Sequence, residues 1–285
     1  MHTDSYIFRK CALAAIAAAA LLTIASPAGA QVDLGLTPMR VEIPAVAGKA
    51  YSGSLSLSNA GTAKARVRVE MVDFYVDENM TPQFVGNVPG EAEYSCRSWL
   101  SANPMEVEVE PRSQVTVRYT VRTPAAASER SYHCALGFRS LPSADPQAGT
   151  AMRTAVRLIT VFYATVGKPP VVGTIKDLKL EPVAPNLWRA VLLMENAGLM
   201  LYRPVGDVQL VNEAGKVVES QAVSSFPVLP KRTQRFLLPM KNLSAGAKYT
   251  LRARIEVAGE IQEGSAVVTA EAPPTATAAA ELPGK

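Results

Sequence analysis

From Gln31 onward, almost every segment of this 285-residue chain alternates apolar with polar side chains at period two. That pattern leaves little but β-strands to build with. Leu55 and Leu57 alternate with serines, and Val67, Val69 and Met71 alternate with Arg66, Arg68 and Glu70. Val107 and Val109 alternate with acids, and Val115, Val117, Tyr119 and Val121 alternate with Thr116, Arg118 and Thr120. Side chains in a strand return to one face every second residue, so each run carries one apolar and one polar face. Turn clusters separate the runs: Asn59-Ala60-Gly61, Asp77-Glu78-Asn79, Val88-Pro89-Gly90 and Pro142-Ser143-Ala144-Asp145-Pro146. No stretch past Gln31 has a helical period. Short strands with frequent turns predict an all-β chain of antiparallel sandwiches.

The first thirty residues follow a different logic. Arg9 and Lys10 precede an apolar run from Cys11 to Ala25, and Ser26-Pro27-Ala28-Gly29-Ala30 closes it with an A-x-A pattern. This reads as a secretory signal peptide, residues 1–30. The run is short and wrongly flanked for a membrane span. Cys11 lies before the apolar run, which speaks against a lipoprotein. Removing thirty residues leaves 255, enough for two domains. Apolar residues make up 48%, enough for real cores. The formal charge of +4 falls to +3 without the leader, and aromatics are only 6%. A weak, scattered charge with few stacking side chains argues against nucleic-acid binding.

Export leaves two cysteines, Cys96 and Cys134, and an even pair outside the cytoplasm is expected to form one structural disulfide. His133 becomes the sole histidine, inside an apolar segment where a packed or edge imidazole is the ordinary role. One histidine without partners builds no nucleophilic site. No zincin, nucleophile-elbow, Walker or dinucleotide motif is present. The sequence therefore reads as a non-enzyme needing no cofactor and no metal.

A Gly167-Lys168-Pro169-Pro170 linker divides the chain, since paired prolines stiffen a connection and cannot join a ladder. The expected units are residues 31–168 and 169–272, followed by an Ala/Pro/Thr tail, 273–285, read as disordered. The halves echo one another in order. Asn59-Ala60-Gly61 returns as Asn196-Ala197-Gly198, Pro111-Arg112-Ser113-Gln114 as Pro230-Lys231-Arg232-Thr233-Gln234, and Tyr132 as Tyr249. The echoes predict two modules of one kind. Tyr132 stands two residues before Cys134, as in a tyrosine corner, so both modules are expected to be immunoglobulin-like. Cys96 lies mid-domain, so its bridge is not the inter-sheet bond of antibody domains. Trp99 and Trp188 are expected as core anchors.

Leu36 to Val41, Leu55 to Asn59, Ser98 to Val121, Tyr132 to Pro142 and Thr160 to Tyr163, all before about residue 169, resemble the first domain of the periplasmic pilus-assembly chaperones, the PapD-like family. Leu36-Thr37-Pro38-Met39-Arg40-Val41 resembles that family's first strand, and Leu55-Ser56-Leu57-Ser58-Asn59 its second strand and turn. Ser98-Trp99-Leu100, Pro104, Val109-Glu110-Pro111 and the strand to Val121 resemble its middle. Tyr132 to Pro142 and Thr160-Val161-Phe162-Tyr163 resemble its last two strands. The resemblance implies a periplasmic protein whose partners are secreted pilus or surface subunits, together with an outer-membrane usher. It implies that the last strand of the first domain donates alternate side chains to a partner. It also implies two cleft cations that grip a terminal carboxylate.

By that resemblance the partner-binding residues are Arg40 and the stripe Met152, Thr154, Val156 and Leu158, with Thr160 at the second basic position. Threonine brings no charge there. Arg157 is three residues from Thr160, on the opposite strand face. The opposite stripe is Arg153, Ala155 and Arg157, and a one-residue bulge would exchange the two faces. The second half resembles immunoglobulin-like modules of bacterial surface proteins, at Glu195-Asn196-Ala197-Gly198 to Arg203-Pro204 and at Phe226 to Pro230. This supports the alternative of a tandem adhesion or envelope-scaffold protein that binds without releasing.

Overall fold

The computed structural model describes residues 33–271, apart from 78, 79, 87, 89–91 and 142–154. The leader, the tail beyond 271, and Met152 and Thr154 lie outside the described residues. Among those described, no helix is long and apolar enough to cross a membrane.

The chain folds as two tandem immunoglobulin-like β-sandwiches. In the first, one sheet orders β1 (Leu34–Thr37), β3 (Ala50–Asn59), β8 (Ser113–Arg122) and β6 (Leu100–Asn103). The facing sheet orders β2 (Arg40–Ala45), β10 (Arg157–Val166), β9 (Ser131–Ser140), β4 (Ala65–Val76) and β5 (Pro82–Val85). Strand β7 (Glu106–Val109) also pairs with β4. The alternation read from sequence sets the faces. Leu55, Leu57, Val67, Val69, Val117, Leu136, Phe138 and Phe162 meet in a core with almost no exposure. The second sandwich packs β11 (Gly173–Ala184), β12 (Leu187–Asn196) and β15 (Thr233–Met240) against β14 (Val217–Ala222), β13 (Val205–Asn212), β16 (Lys248–Val257) and β17 (Glu260–Thr269). Its core holds Trp188, Leu192, Met194, Leu210, Phe236, Met240 and Ile255. Trp99 is less deep than expected. It is half-buried, with its ring 4.3 Å from that of Tyr132.

The sequence echoes correspond to repeated hydrogen-bond networks. Asn59 Nδ2 donates to Ala63 O (2.7 Å) and Val109 O (3.1 Å), and its Oδ1 accepts from Gly61 N (3.0 Å). Asn196 Nδ2 donates to Met200 O (2.8 Å) and Val228 O (3.0 Å), and its Oδ1 accepts from Gly198 N (2.9 Å). Each asparagine ends a strand and ties it to the turn before a later strand. Both are buried, so every polar atom needs a partner, and only an amide offers donors and an acceptor together. The Pro111-Arg112 and Pro230-Lys231 turns repeat a positive φ, 53° and 56°, directly after the proline. Tyr132 closes its corner by donating to Ser128 O at 3.1 Å.

Strand β9 departs from simple alternation, with Ser131 to Phe138 buried in succession. Tyr132, Cys134, Leu136 and Phe138 face the first core. Ala135 faces outward, into a third cluster with Val72, Phe74, Tyr163 and, from the second sandwich, Leu229. The outer face of this sheet is therefore an inter-domain face. Met80, beyond the end of β4, packs against the second core, and its sulfur accepts from Leu237 N at 3.3 Å. Leu199 O accepts from Ser131 N (2.9 Å), and Leu201 N donates to Ser131 Oγ (3.1 Å).

Candidate functional site

The candidate site is the outer face of β10 and the edge of that strand that no described strand covers. The chain starts in one sheet as β1 and passes through Pro38 into the other as β2. There β2 runs parallel to β10, from Arg40 beside Val161 to Ala45 beside Val166. All the other strand ladders among the described residues are antiparallel. Because β2 begins at Arg40, it covers only the second half of β10. Among the described residues, Arg157 to Thr160 pair with β9 alone. Val161 N donates to Met39 O, on the β2 side, whereas Val156 O accepts from Ser140 N, on the β9 side. Main-chain groups alternate along a strand, so those of Arg157 and Ile159 point to the side where no described strand pairs with them.

The expected site residues that are described, Arg40, Val156, Leu158 and Thr160, have definite places. Arg40 sits where the open edge ends, half-exposed, with Nε 3.4 Å from Glu42 Oε1. Val156 continues the β9 ladder, its N–H donating to Ser140 Oγ at 2.8 Å. Leu158 is partly buried against the first core. Thr160, expected to line the cleft, is turned the other way. It shares the inward face of Phe162, is fully buried, and its hydroxyl donates to Pro38 O at 2.8 Å. The β10 residue beside Arg40 is Val161. Arg157 is engaged elsewhere: it reaches Glu70 (3.4 Å) and Phe84 O (3.1 Å). It lies over Gly137, where an added Cβ would come within 3.0 Å of its Nε.

A cation that sequence reasoning did not assign to the site comes from the second sandwich. Arg203 Nη2 lies 3.1 Å from Glu42 Oε1, and its guanidinium stacks 5.0 Å from the Tyr163 ring centre. Glu42 and Tyr163 are paired neighbours on β2 and β10, so Arg203 lands on the same outer face as Arg40. A groove runs between the domains here, lined by Glu42, Pro44, Tyr163, Thr165, Leu201 and Arg203. Burial pushes the Tyr163 phenol up, against the opposing pull of Arg203. No signal in the local sequence marks Arg203, because it meets Glu42 across 161 residues.

His133 lies on the same face, paired with Tyr163 and 5.0 Å from the Phe74 ring. Burial lowers its imidazole from 6.5 to about 4; Arg232 pushes the same way and a hydrogen bond with the Phe74 backbone opposes it. Between those values the unfolded chain binds the extra proton, so stability rises with pH across that window. The contribution is complete above about pH 6.5 and lost as pH falls to about 4, some 3 kcal/mol in all. Denaturant unfolding of wild type and His133→Gln at pH 7.5 and 4.0 checks this. The substitution should flatten the pH dependence by about that amount; equal slopes would exclude it.

Cys96 and Cys134 are bonded, both fully buried, and Cys96 N donates to His133 O at 3.2 Å. Among the described residues, no group of three or more His, Cys, Asp or Glu is placed to hold a metal.

No family model matches the chain, and no curated protein matches it in sequence. In structure it is similar to the class 5 fimbriae chaperone CfaA, at 10% identity and TM-score 0.43, over 85% of this chain and 100% of that one. It is similar to the periplasmic chaperone SfaE, at 12% identity and TM-score 0.41, over 83% of this chain and 100% of that one. It is also similar to the CsuC–CsuE chaperone-tip adhesion subunit pre-assembly complex from archaic chaperone-usher Csu pili of Acinetobacter baumannii, at 12% identity and TM-score 0.41, over 83% of this chain and 98% of that chain.

Proposed function

We propose that this protein is an exported, chaperone-like binder of pilus or surface subunits, working in the periplasm and handing its cargo to an outer-membrane usher. It holds an extended partner segment as an added strand along the open edge of β10. The observation that supports this reading is the edge itself: among the described residues Arg157 to Thr160 pair with β9 on one side only, and β2 closes the other side from Arg40 onward. Unpaired main-chain groups on a strand edge are a template for another chain. Ile159 and Val161 offer partly exposed apolar side chains on the outer face, and Val156 and Leu158 on the inner one. The stripe read from the sequence also includes Thr154 and Met152, which lie outside the described residues. Thr160 holds the edge in place through Pro38. Arg40 marks the end of the edge, where its charge anchors an anionic group, the partner's C-terminal carboxylate, and so sets the register.

The test uses the two directions of the β10 backbone. Ile159→Pro removes an N–H aimed at the open edge and leaves the β9 ladder its donors. Pull-down from periplasm with mass spectrometry identifies the partner, and affinities of variants for it follow. Ile159→Pro should weaken capture about fivefold to tenfold with little change in Tm. Arg40→Ala should weaken it by about 1.5–3 kcal/mol. Capture unchanged by both would overturn the proposal.

A further inference from the structure

Glu42 occupies an unusual position between two arginines of different domains. The same oxygen, Oε1, lies 3.4 Å from Arg40 Nε and 3.1 Å from Arg203 Nη2. Arg203 is mostly buried, its side chain 16% exposed, whereas Arg40 and Glu42 each remain 54% exposed. The Arg203 guanidinium is fixed on one side by the Tyr163 ring and on another by Ser225 O at 3.3 Å. A planar guanidinium held this way is preorganised for a carboxylate, with little rotamer freedom left to lose. Two cations and one anion leave the cluster one positive charge in excess, at the end of the open β10 edge.

We infer that Arg203 is the second cation of the partner anchor and that Glu42 is its resident competitor. This rests on the reading of β10 as the capture edge. In the empty protein Glu42 bridges the two arginines and ties the domains together. An incoming chain terminus brings a second carboxylate to the same pair. It neutralises the excess charge but must share the arginines with Glu42. The competition lowers affinity for carboxylate-ended chains and leaves strand pairing along β10 untouched. The anchor thus spans the domain junction, so it senses whether the second sandwich is docked.

The experiment titrates the full mature protein with synthetic octapeptides in which valine alternates with threonine and serine. One form ends in a free carboxylate, one in an amide, and one is amidated with glutamate as its last residue. Wild type should prefer the free acid over the amide by about tenfold, the low end for hydrogen bonds to a charged group. Glu42→Gln should raise affinity for the free acid by about threefold, the scale of an exposed ion pair, and leave the amide unchanged. Arg203→Gln should erase most of the acid preference while still binding the amide, which shows that the variant remains folded. If wild type bound neither peptide, the capture-edge reading itself would fail. If wild type bound acid and amide equally, or if its preference survived Arg203→Gln, the cross-domain anchor would fall while the edge reading stood. An amidated glutamate peptide binding as tightly as the free acid would overturn the assignment to a chain terminus.

Discussion

Replacing Cys96 and Cys134 together by alanine should destabilise the first sandwich by about 4 kcal/mol, or on the order of 10 °C in Tm. The bond closes a loop of 38 residues, and the estimate is the chain entropy that such a loop returns to the unfolded state. The staple has a particular task. The segment around Cys96 lies between β5 and β6, and its described residues hold two single-turn 3-10 helices, Ala92–Tyr94 and Arg97–Trp99. Short 3-10 turns have no ladder of their own to hold them. The bond pins this segment to β9, where Ser95 bridges to His133 and Trp99 meets Tyr132. Both sulfurs lie inside the first core, so the substitution also removes packed volume. Denaturant unfolding of the double variant and of reduced wild type should show the same transition moving, with that of the second sandwich in place. A shift below about 1 kcal/mol would show that packing alone holds the segment.

Much of the fold was legible because a sandwich writes itself into sequence at period two. The strands around Leu55, Val67, Val107 and Val115 lie where the alternation put them, as β3, β4, β7 and β8. The Asn-Ala-Gly echoes were legible because a buried asparagine and the turn it closes are local. The site was only partly legible, for physical reasons. The face of Thr160 depends on which side of β10 the core lies, and the large buried Phe162 two residues later fixes that inward. Strand β9 reads as one apolar run because the second sandwich covers its outer face, and no local pattern distinguishes that cover from a second layer within the domain. Arg203 was invisible for the same reason. Its partners Glu42 and Tyr163 belong to another domain, and ion pairs across such separations leave no spacing to read. Arg157, close in sequence to the cleft, proves to be occupied by Glu70 across the sheet.

Phe74→Ala should cost about 3–5 kcal/mol and loosen the two sandwiches from one another. Phe74 is 1% exposed, yet it faces away from the first core. Its ring meets those of Phe84 (5.5 Å), His133 (5.0 Å) and Tyr163 (6.0 Å), with Leu229 of the second sandwich in the same cluster. Truncation leaves a cavity that β4 and β9 cannot close, since both are held in register by their ladder from Val67 to Val72. It also takes away a large buried side chain of the cluster that Leu229 and Leu201 join, leaving the rest of that cluster with Met80, Ser131 and the Glu42–Arg203 pair at the junction. The ion pair is partly exposed and adds little to that junction. Small-angle scattering should therefore show a larger radius of gyration, and the thermal transitions of the two sandwiches should move further apart. The open β10 edge should persist, because its pairing with β9 does not pass through Phe74. Partner strands should then still bind, but the preference for a terminal carboxylate should fall, since Arg203 would no longer stand over Tyr163. A Phe74→Ala protein with unchanged scattering and a loss under about 1 kcal/mol would show that the junction is held by other contacts.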